Sequence, residues 1–401
     1  MLSLFPDISA PKKLLPALFL LALLAPAPLK ADELIVTPAF SVREEYNDNV
    51  FAQSSDRRRD FITTLSPVLT VSNRNERVSA NLSGGVNSLH YLRNSSGSAL
   101  GYFVRGTGSY TAAPRLSLSS DLGYLRDSSA SSIDPATSLV VSSRSERQSY
   151  RLGGRYALSE MASSSVGLAY SRDDYDSQTY LDTWHYQGNA GIDYDPGSRL
   201  PRTKLGSLLT LRRDATDLSR VDSLSATLGV TRELSELWRL SLNGGARFTR
   251  SEFHGAGGAG RESHDESGGV GSLALAYSGE KLSGSLALSH DLNSASGRGG
   301  ATKVTGANLT VAERFTRDLS GSLAAAYVWN RSDPNEFALQ PIDERSRNLT
   351  GSLRYQIADA PSELSLEARY SYNNTQNRLL GTEMVQNIFM LRLNWQYPMF
   401  R

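Results

Sequence analysis

Apolar and polar residues alternate along most of the chain after residue 31, and this period of two predicts β-strands. The segments 240–249, 364–372 and 389–397 each carry apolar residues on one face and polar residues on the other. Arginines recur on the polar faces opposite unbroken apolar alternation, a pattern that fits no amphipathic helix. About eighteen such segments, each of roughly ten residues, follow one another to the end of the chain.

The connections between the predicted strands alternate between short and long. Short ones, such as 195–197 and 278–280, have the composition of tight turns. The long ones are rich in Ser, Gly, Asp and Arg and indicate surface loops; they are Asp127–Glu146, Glu252–Glu266, Leu292–Ala301 and Asn330–Glu344. Turns on one side and loops on the other are typical of barrels in the bacterial outer membrane.

We therefore predict an all-β fold, a transmembrane antiparallel up-and-down β-barrel of about eighteen strands. An even strand number places both chain termini in the periplasm. A soluble propeller or solenoid is the alternative, because these folds also alternate. The chain has no repeat of constant length, and a packed soluble core would not accept guanidinium groups on its inner faces.

The N-terminus predicts export from the cytoplasm. Lys12 and Lys13 precede the apolar run Leu14–Ala25, and Leu29–Ala31 forms an acceptable cleavage site before Asp32. We expect residues 1–31 to be a secretory signal peptide and residues 32–401 to form the barrel domain. A single anchor helix is the alternative for the apolar run, which is short for a membrane span.

Composition excludes several classes of protein. The chain has no cysteine, which rules out disulfide scaffolds and cysteine-bound metals. With 42 Lys and Arg against 41 Asp and Glu, the formal net charge is +1, so we expect no nucleic-acid partner.

Histidine, which most catalytic and metal sites need, occurs five times and in no recognised metal-binding spacing. The sequence Ser289-His290-Asp291 cannot form a catalytic triad, because adjacent strand residues point to opposite faces. We predict no enzymatic activity, no cofactor and no metal site.

If the leucines face lipid, the alternation assigns the opposite residues to the lumen. The predicted pore-lining residues are Arg43, Arg105, Arg151, Arg155, Arg212, Arg247, Arg314, Arg354, Arg369 and Arg392. Five acids share their faces, namely Glu45, Asp121, Asp193, Asp291 and Glu367. This excess of cations, about two to one on strand alternation, would concentrate anions in the lumen. Alternatively, the arginines brace the wall by pairing with acids and tyrosines.

One segment carries a resemblance to a known family. The mature N-terminus, TPAFSVREEYNDNVF at residues 37–51, resembles the opening of the putative β-barrel porin type 2 family, in which a first strand runs into a Tyr-Asn/Thr-Asp-Asn turn. In this chain that turn is Asn47-Asp48-Asn49. The chain is also similar to the outer-membrane barrels of exopolysaccharide operons. Together these resemblances imply an outer-membrane exit for a polymer. It also implies a periplasmic polysaccharide-export protein as partner.

We accordingly expect an outer-membrane channel, embedded in lipid, through which an exopolysaccharide leaves the cell. One alternative is a general or anion-preferring diffusion porin for small solutes. Another is a scaffold barrel that encloses a second protein. Barrels of this size contain an aqueous channel unless something fills it, and the loop Asp127–Glu146 is long enough to fold inward.

Overall fold

The computed structural model describes residues 33–254, 261–333, 336–358 and 362–399. The expected signal peptide, residues 1–31, lies outside these ranges. The strands in chain order are β1 (Glu33–Asn47), β2 (Asp60–Arg74), β3 (Val78–Tyr91), β4 (Ala99–Ala113), β5 (Leu116–Asp127), β6 (Ser132–Ile133), β7 (Val140–Val141), β8 (Ser145–Ala157), β9 (Ala162–Tyr175), β10 (Thr183–Tyr194), β11 (Thr203–Ala215), β12 (Ser219–Glu233), β13 (Trp238–His254), β14 (Arg261–Ser278), β15 (Leu282–Ser294), β16 (Ala301–Arg314), β17 (Leu319–Ser332), β18 (Ile342–Ala358), β19 (Glu363–Asn377) and β20 (Thr382–Gln396). Two single 3₁₀ turns, Ser95–Gly97 and Gly197–Arg199, lie in connections.

Eighteen of these strands form one antiparallel sheet that closes into a barrel. Each strand pairs with its neighbours in sequence, and β1 closes the ring by pairing with β20 as well as with β2. The short strands β6 and β7 pair only with each other. The prediction of an eighteen-stranded antiparallel barrel is confirmed. Closure satisfies the backbone hydrogen bonds that an open sheet edge would leave exposed.

No helix in the described part of the chain has the length and apolar character needed to cross a membrane.

The outer face of the barrel is apolar and bounded by aromatic residues. Leu168, Leu228 and Leu353 are among many large apolar side chains that point outward and are exposed. On β10, Tyr186 and Tyr194 share this face and are eight residues apart, about 26 Å along a strand. Tilted strands therefore place them near the two edges of an apolar band about 25 Å tall.

Most of the buried apolar residues lie inside the barrel, towards the end with the long connections. One cluster contains Val50, Ile62, Leu89 and Tyr91. A second contains Val221, Leu292, Ala301 and Phe337, and a third contains Ala295, Ala338 and Ile342. This end of the lumen is therefore a packed interior rather than an open mouth.

All four predicted loops are shorter than expected, and residues 330–332 and 342–344, for example, belong to β17 and β18. Residues 252–254 and 261–266 belong to β13 and β14, and residues 292–294 belong to β15. The polar segments of β13 and β14 continue as a ladder above the apolar band, where water can solvate both faces. Composition alone suggested loops there because these strand ends carry no apolar alternation.

Candidate functional site: a constricted lumen

The connection between β5 and β8, residues 128–144, crosses the lumen; we call it the inner loop. The side-chain amide of Asn330 on β17 donates a hydrogen bond of 2.6 Å to the Thr137 carbonyl oxygen. The Ser346 hydroxyl on β18 donates to the Ser138 carbonyl oxygen at 3.0 Å. Since β17 lies halfway around the ring from β8, the inner loop spans the full width of the barrel.

The end of the β15–β16 hairpin, residues 291–302, also turns into the lumen; we call it the inner hairpin. The Arg212 guanidinium on β11 donates hydrogen bonds of 3.1 Å to the Leu292 carbonyl and to Asn293 Oδ1. The Leu181 amide, between β9 and β10, donates to the Gly297 carbonyl at 2.6 Å. Because three other strands separate β11 from β15 in the ring, these contacts cross the interior.

A third inward segment, residues 336–341, packs against the inner hairpin, where the Ala301 amide donates a hydrogen bond of 2.8 Å to the Phe337 carbonyl. Phe337 is fully buried, and its ring lies 5.9 Å from the Arg247 guanidinium and 5.0 Å from Lys303 Nζ. Lys303 Nζ also contacts Glu336 Oε1 at 2.6 Å. Burial alone would raise the pKa of Glu336, but hydrogen bonds with Glu266, Lys303 and the backbone hold it below its ordinary value. Glu336 is therefore an ionised anchor for this segment.

A chain of charged side chains runs along the inner wall beneath the inner loop. Arg147 forms an ion pair with Asp173, and His185 Nε2 lies 3.2 Å from Asp173 Oδ2. On its other side, His185 Nδ1 lies 2.6 Å from Asp214 Oδ1, and Asp214 pairs with Arg212 at 2.9 Å. Cross-strand register explains the set, because His185 and Asp214 face each other directly on β10 and β11.

Two neighbouring cavities remain below these segments. The first has a volume of about 940 Å³ and lies between the inner loop, the inner hairpin and the wall from β4 to β11. Its lining is mainly Ser, Thr, Asn, Gln, Asp and Arg side chains. The second, of about 510 Å³, extends towards β15 and shares Gln187 and Arg212 with the first. The dimensions and lining suit a small hydrophilic solute.

The ten predicted pore-lining arginines all lie on wall strands, in different surroundings. Arg155 pairs with Asp193, Arg212 with Asp214, Arg247 with Asp291 and Arg369 with Glu367; Arg43 donates to Thr64, Arg314 to the Glu280 carbonyl, and Arg105 lies over Phe103. Several arginines thus do brace the wall. Arg151 lines the first cavity, and no described residue hydrogen-bonds or ion-pairs with it. That these residues line a conducting pore stays a prediction.

Four of the arginines follow one register row across neighbouring strands; we call them the basic row. Arg314, Arg354, Arg392 and Arg43 lie on β16, β18, β20 and β1, linked by Ser320 on β17 and Glu367 on β19, each directly opposite the next. Residues opposite one another share a face of the sheet. Because the strands tilt, the row climbs the wall from one end of the barrel towards the other. It begins at Arg314, at the turn end of β16, and finishes at Arg43, four residues before the loop end of β1.

Strand alternation underestimated the acids of the lumen. Asp134 comes from the inner loop, and Asp173, Asp214 and Glu344 from the loop ends of β9, β11 and β18. In the loop half, these carboxylates pair with Arg147, Arg212 and Arg298 and neutralise part of the positive charge of the lumen. Asp173, Asp214 and Glu344 each have a charged residue beside them in sequence rather than leucines on both sides, which left no apolar face from which to assign their orientation.

The closed eighteen-stranded wall, its apolar outer band and its polar, constricted lumen define an outer-membrane barrel of the porin type. The family model described as Putative beta-barrel porin 2 matches residues 25–195, which confirms the resemblance carried by residues 37–51. The protein is a β-barrel of the bacterial outer membrane. None of the curated proteins matches the sequence.

Similar solved structures include two bacterial proteins. OccK2 (OpdF) of Pseudomonas aeruginosa has a TM-score of 0.50 and 13% sequence identity, over 92% of this chain and 98% of that chain. OccAB4 of Acinetobacter baumannii has a TM-score of 0.49 and 10% identity, over 93% of this chain and all of the other. At these identities the first of them supports the fold alone.

Proposed function

We propose that the protein is a diffusion channel for small hydrophilic solutes, with a preference for anions. The basic row carries this proposal, since four guanidiniums and one carboxylate follow a single path up the inner wall. In a lumen walled by low-dielectric material, such a path attracts anions and repels cations. Weak contacts with successive arginines let a solute enter without trapping it.

Exit of an exopolysaccharide is the second candidate, and it was our expectation from the sequence. A polymer needs a passage through which a chain can thread, whereas the inner loop is hydrogen-bonded to the opposite wall. A periplasmic polysaccharide-export partner is expected only if this second candidate function is the correct one. The small-solute channel requires neither a partner nor displacement of the inner loop, so the geometry favours it.

Planar-bilayer conductance of the purified barrel under a KCl gradient tests the proposal. We expect a reversal potential of the anion-selective sign, with chloride favoured over potassium roughly twofold or more. Cation selectivity, or a barrel that carries no current, would contradict it. Deleting the gene separates the two candidates: loss of surface polysaccharide with normal solute uptake would favour export, and the reverse would favour the small-solute channel.

A further inference from the structure

The barrel wall is split along part of one seam. β13 pairs with β14 up to Arg261, but β14 pairs with β15 only from Gly271 to Ser278. Among the described residues, no strand pairs with residues 261–270 on the side facing β15. Ten residues of strand edge, about 33 Å, are therefore left without a ladder partner. We call this opening, between residues 261–270 and the inner hairpin, the slot.

The slot exists because the inner hairpin leaves the wall above His290. Leu292 is buried inside the barrel, and the hairpin end is bonded to β11 and to the β9–β10 connection. The segment that blocks the centre of the lumen is thus the segment missing from the wall.

The foot of the slot lies at the upper edge of the apolar band. Phe248 points outward from β13, is 61% exposed, and stands opposite Ser267 in the unpaired stretch. On the other side, Leu288 is an exposed outward residue of β15. The slot therefore opens from the level of the membrane surface upward.

The second cavity extends to the foot of the slot. Its lining includes Arg212 and Ser225 of the lumen together with Gly271 and His290, the pair at which the β14–β15 ladder ends. His290 is exposed, and its Nδ1 lies 2.7 Å from the Thr305 hydroxyl on the outer face. The lumen cavity therefore lies directly against the lower end of the slot.

Ion pairs bridge the slot. Lys303 Nζ lies 2.9 Å from Glu266 Oε1 on β14 and 2.6 Å from Glu336 Oε1. Lower down, the buried guanidinium of Arg247 on β13 lies 3.4 Å from Asp291 at the base of the inner hairpin. The side chains of Lys303 and Glu266 are partly exposed, and ion pairs of this kind separate far more easily than a backbone ladder does.

We propose that the slot is a lateral port through which small anionic solutes pass between the lumen and the cell exterior, with Lys303 bridging it when it is shut. This proposal rests on the proposed function, for which it supplies the route. The direct path along the barrel axis is obstructed by the inner loop and inner hairpin, which are bonded to opposite walls. The slot offers a path that needs only side chains to move.

Covalent bridging tests the port, and the absence of native cysteine gives a clean background. The double variant Glu266→Cys/Lys303→Cys is refolded, and its folding is checked by heat-modifiable gel mobility. The two cysteines are then cross-linked across the slot with a short bifunctional thiosulfonate. The control is Ser285→Cys/Thr310→Cys, whose native hydroxyls lie 2.8 Å apart on paired strands. We expect bridging to lower chloride conductance about threefold or more in the slot variant only, and reductant to restore it.

Two variants that introduce a bulky side chain test the same route without cross-linking. An added side chain at Gly269, on the slot edge, or at Gly244, on fully paired β13, meets no atom within 4 Å at its Cβ. Gly269→Trp should lower conductance, and Gly244→Trp should leave it unchanged. Unchanged conductance after complete bridging and in Gly269→Trp would overturn the port while leaving the channel itself intact. Absence of current in the native protein would overturn the channel.

Discussion

Arg151 is a lumen cation within reach of a solute in the first cavity. It lines the first cavity, and no described residue forms a hydrogen bond or ion pair with it. A unit charge acting across about 7 Å of water is worth about 0.6 kcal/mol, which corresponds to roughly a twofold change in local anion concentration. We therefore expect Arg151→Ala to lower the chloride-to-potassium permeability ratio about twofold, measured from the reversal potential in a KCl gradient.

Two matched variants control for this change. Arg151→Lys keeps the charge and should keep most of the selectivity. Arg126→Ala removes a guanidinium from β5 that pairs with Asp176 on the outer face, so it should leave the reversal potential unchanged. An equal loss of selectivity in the Arg126 and Arg151 variants would mean that net charge, and not lumen position, sets the preference.

For single residues, the sequence predicted which side chains face the lumen wherever leucines alternate along the strand. Arg392 is an example, since exposed Leu391 and Leu393 flank it and fix its face. Asp173 and His185 lie at strand ends without such neighbours, and their pairing depends on which strands are adjacent. Cross-strand contacts of this kind follow from register, which no local pattern in this chain reveals.

Among the elements, the Asn47-Asp48-Asn49 turn closes the barrel between its first and last strands. The Asn49 amide donates to Asn47 Oδ1 at 2.9 Å, which makes this an Asx turn. The Asp48 carboxylate accepts hydrogen bonds of 2.7 and 2.6 Å from the backbone and side-chain amides of Asn387. Fully buried Asn49 also donates to the Val385 carbonyl.

Loss of the Asp48 carboxylate should therefore weaken the closing seam. A hydrogen bond to a charged group contributes about 1.5–3 kcal/mol to stability. We therefore expect Asp48→Ala to lower the free energy of unfolding by about 2 kcal/mol. Urea unfolding followed by heat-modifiable gel mobility measures it. Asp193→Ala, which removes an exposed partner of Arg155, should change stability by less than about 1 kcal/mol. Equal losses of stability in the two variants would show that the Asp48 hydrogen bonds stabilise the barrel no more than an exposed ion pair does.

The strands themselves were predictable from alternation and turn composition, but the inner hairpin was not. Residues 292–301 have the polar and glycine-rich composition of an external loop. Their inward path depends on Arg212, which is some eighty residues earlier in the chain and bonds to Leu292 and Asn293. Such a contact becomes visible only when the ring of strands is assembled.

Across the whole molecule, the barrel divides into a packed loop half and a more open turn half. The three apolar clusters and the inner loop occupy the loop half, whereas the cavities and the basic row extend into the rest. An eighteen-stranded wall alone would enclose a wide aqueous channel. In the proposed channel, the inner segments would therefore set the size limit for solutes, and the wall would set the charge preference.

Shortening the inner loop tests this division of roles. Replacing residues 131–142 with a short Gly-Ser linker removes the contacts that cross from Thr137 and Ser138 to β17 and β18. The change removes the short β6–β7 pair but leaves the ladders of the barrel wall untouched, so the barrel should still fold, with a larger size limit and little change in ion preference. In liposome-swelling assays, we expect the native protein to admit monosaccharides and to exclude larger oligosaccharides that the shortened variant admits. An unchanged limit would place the constriction in the inner hairpin and residues 336–341 instead.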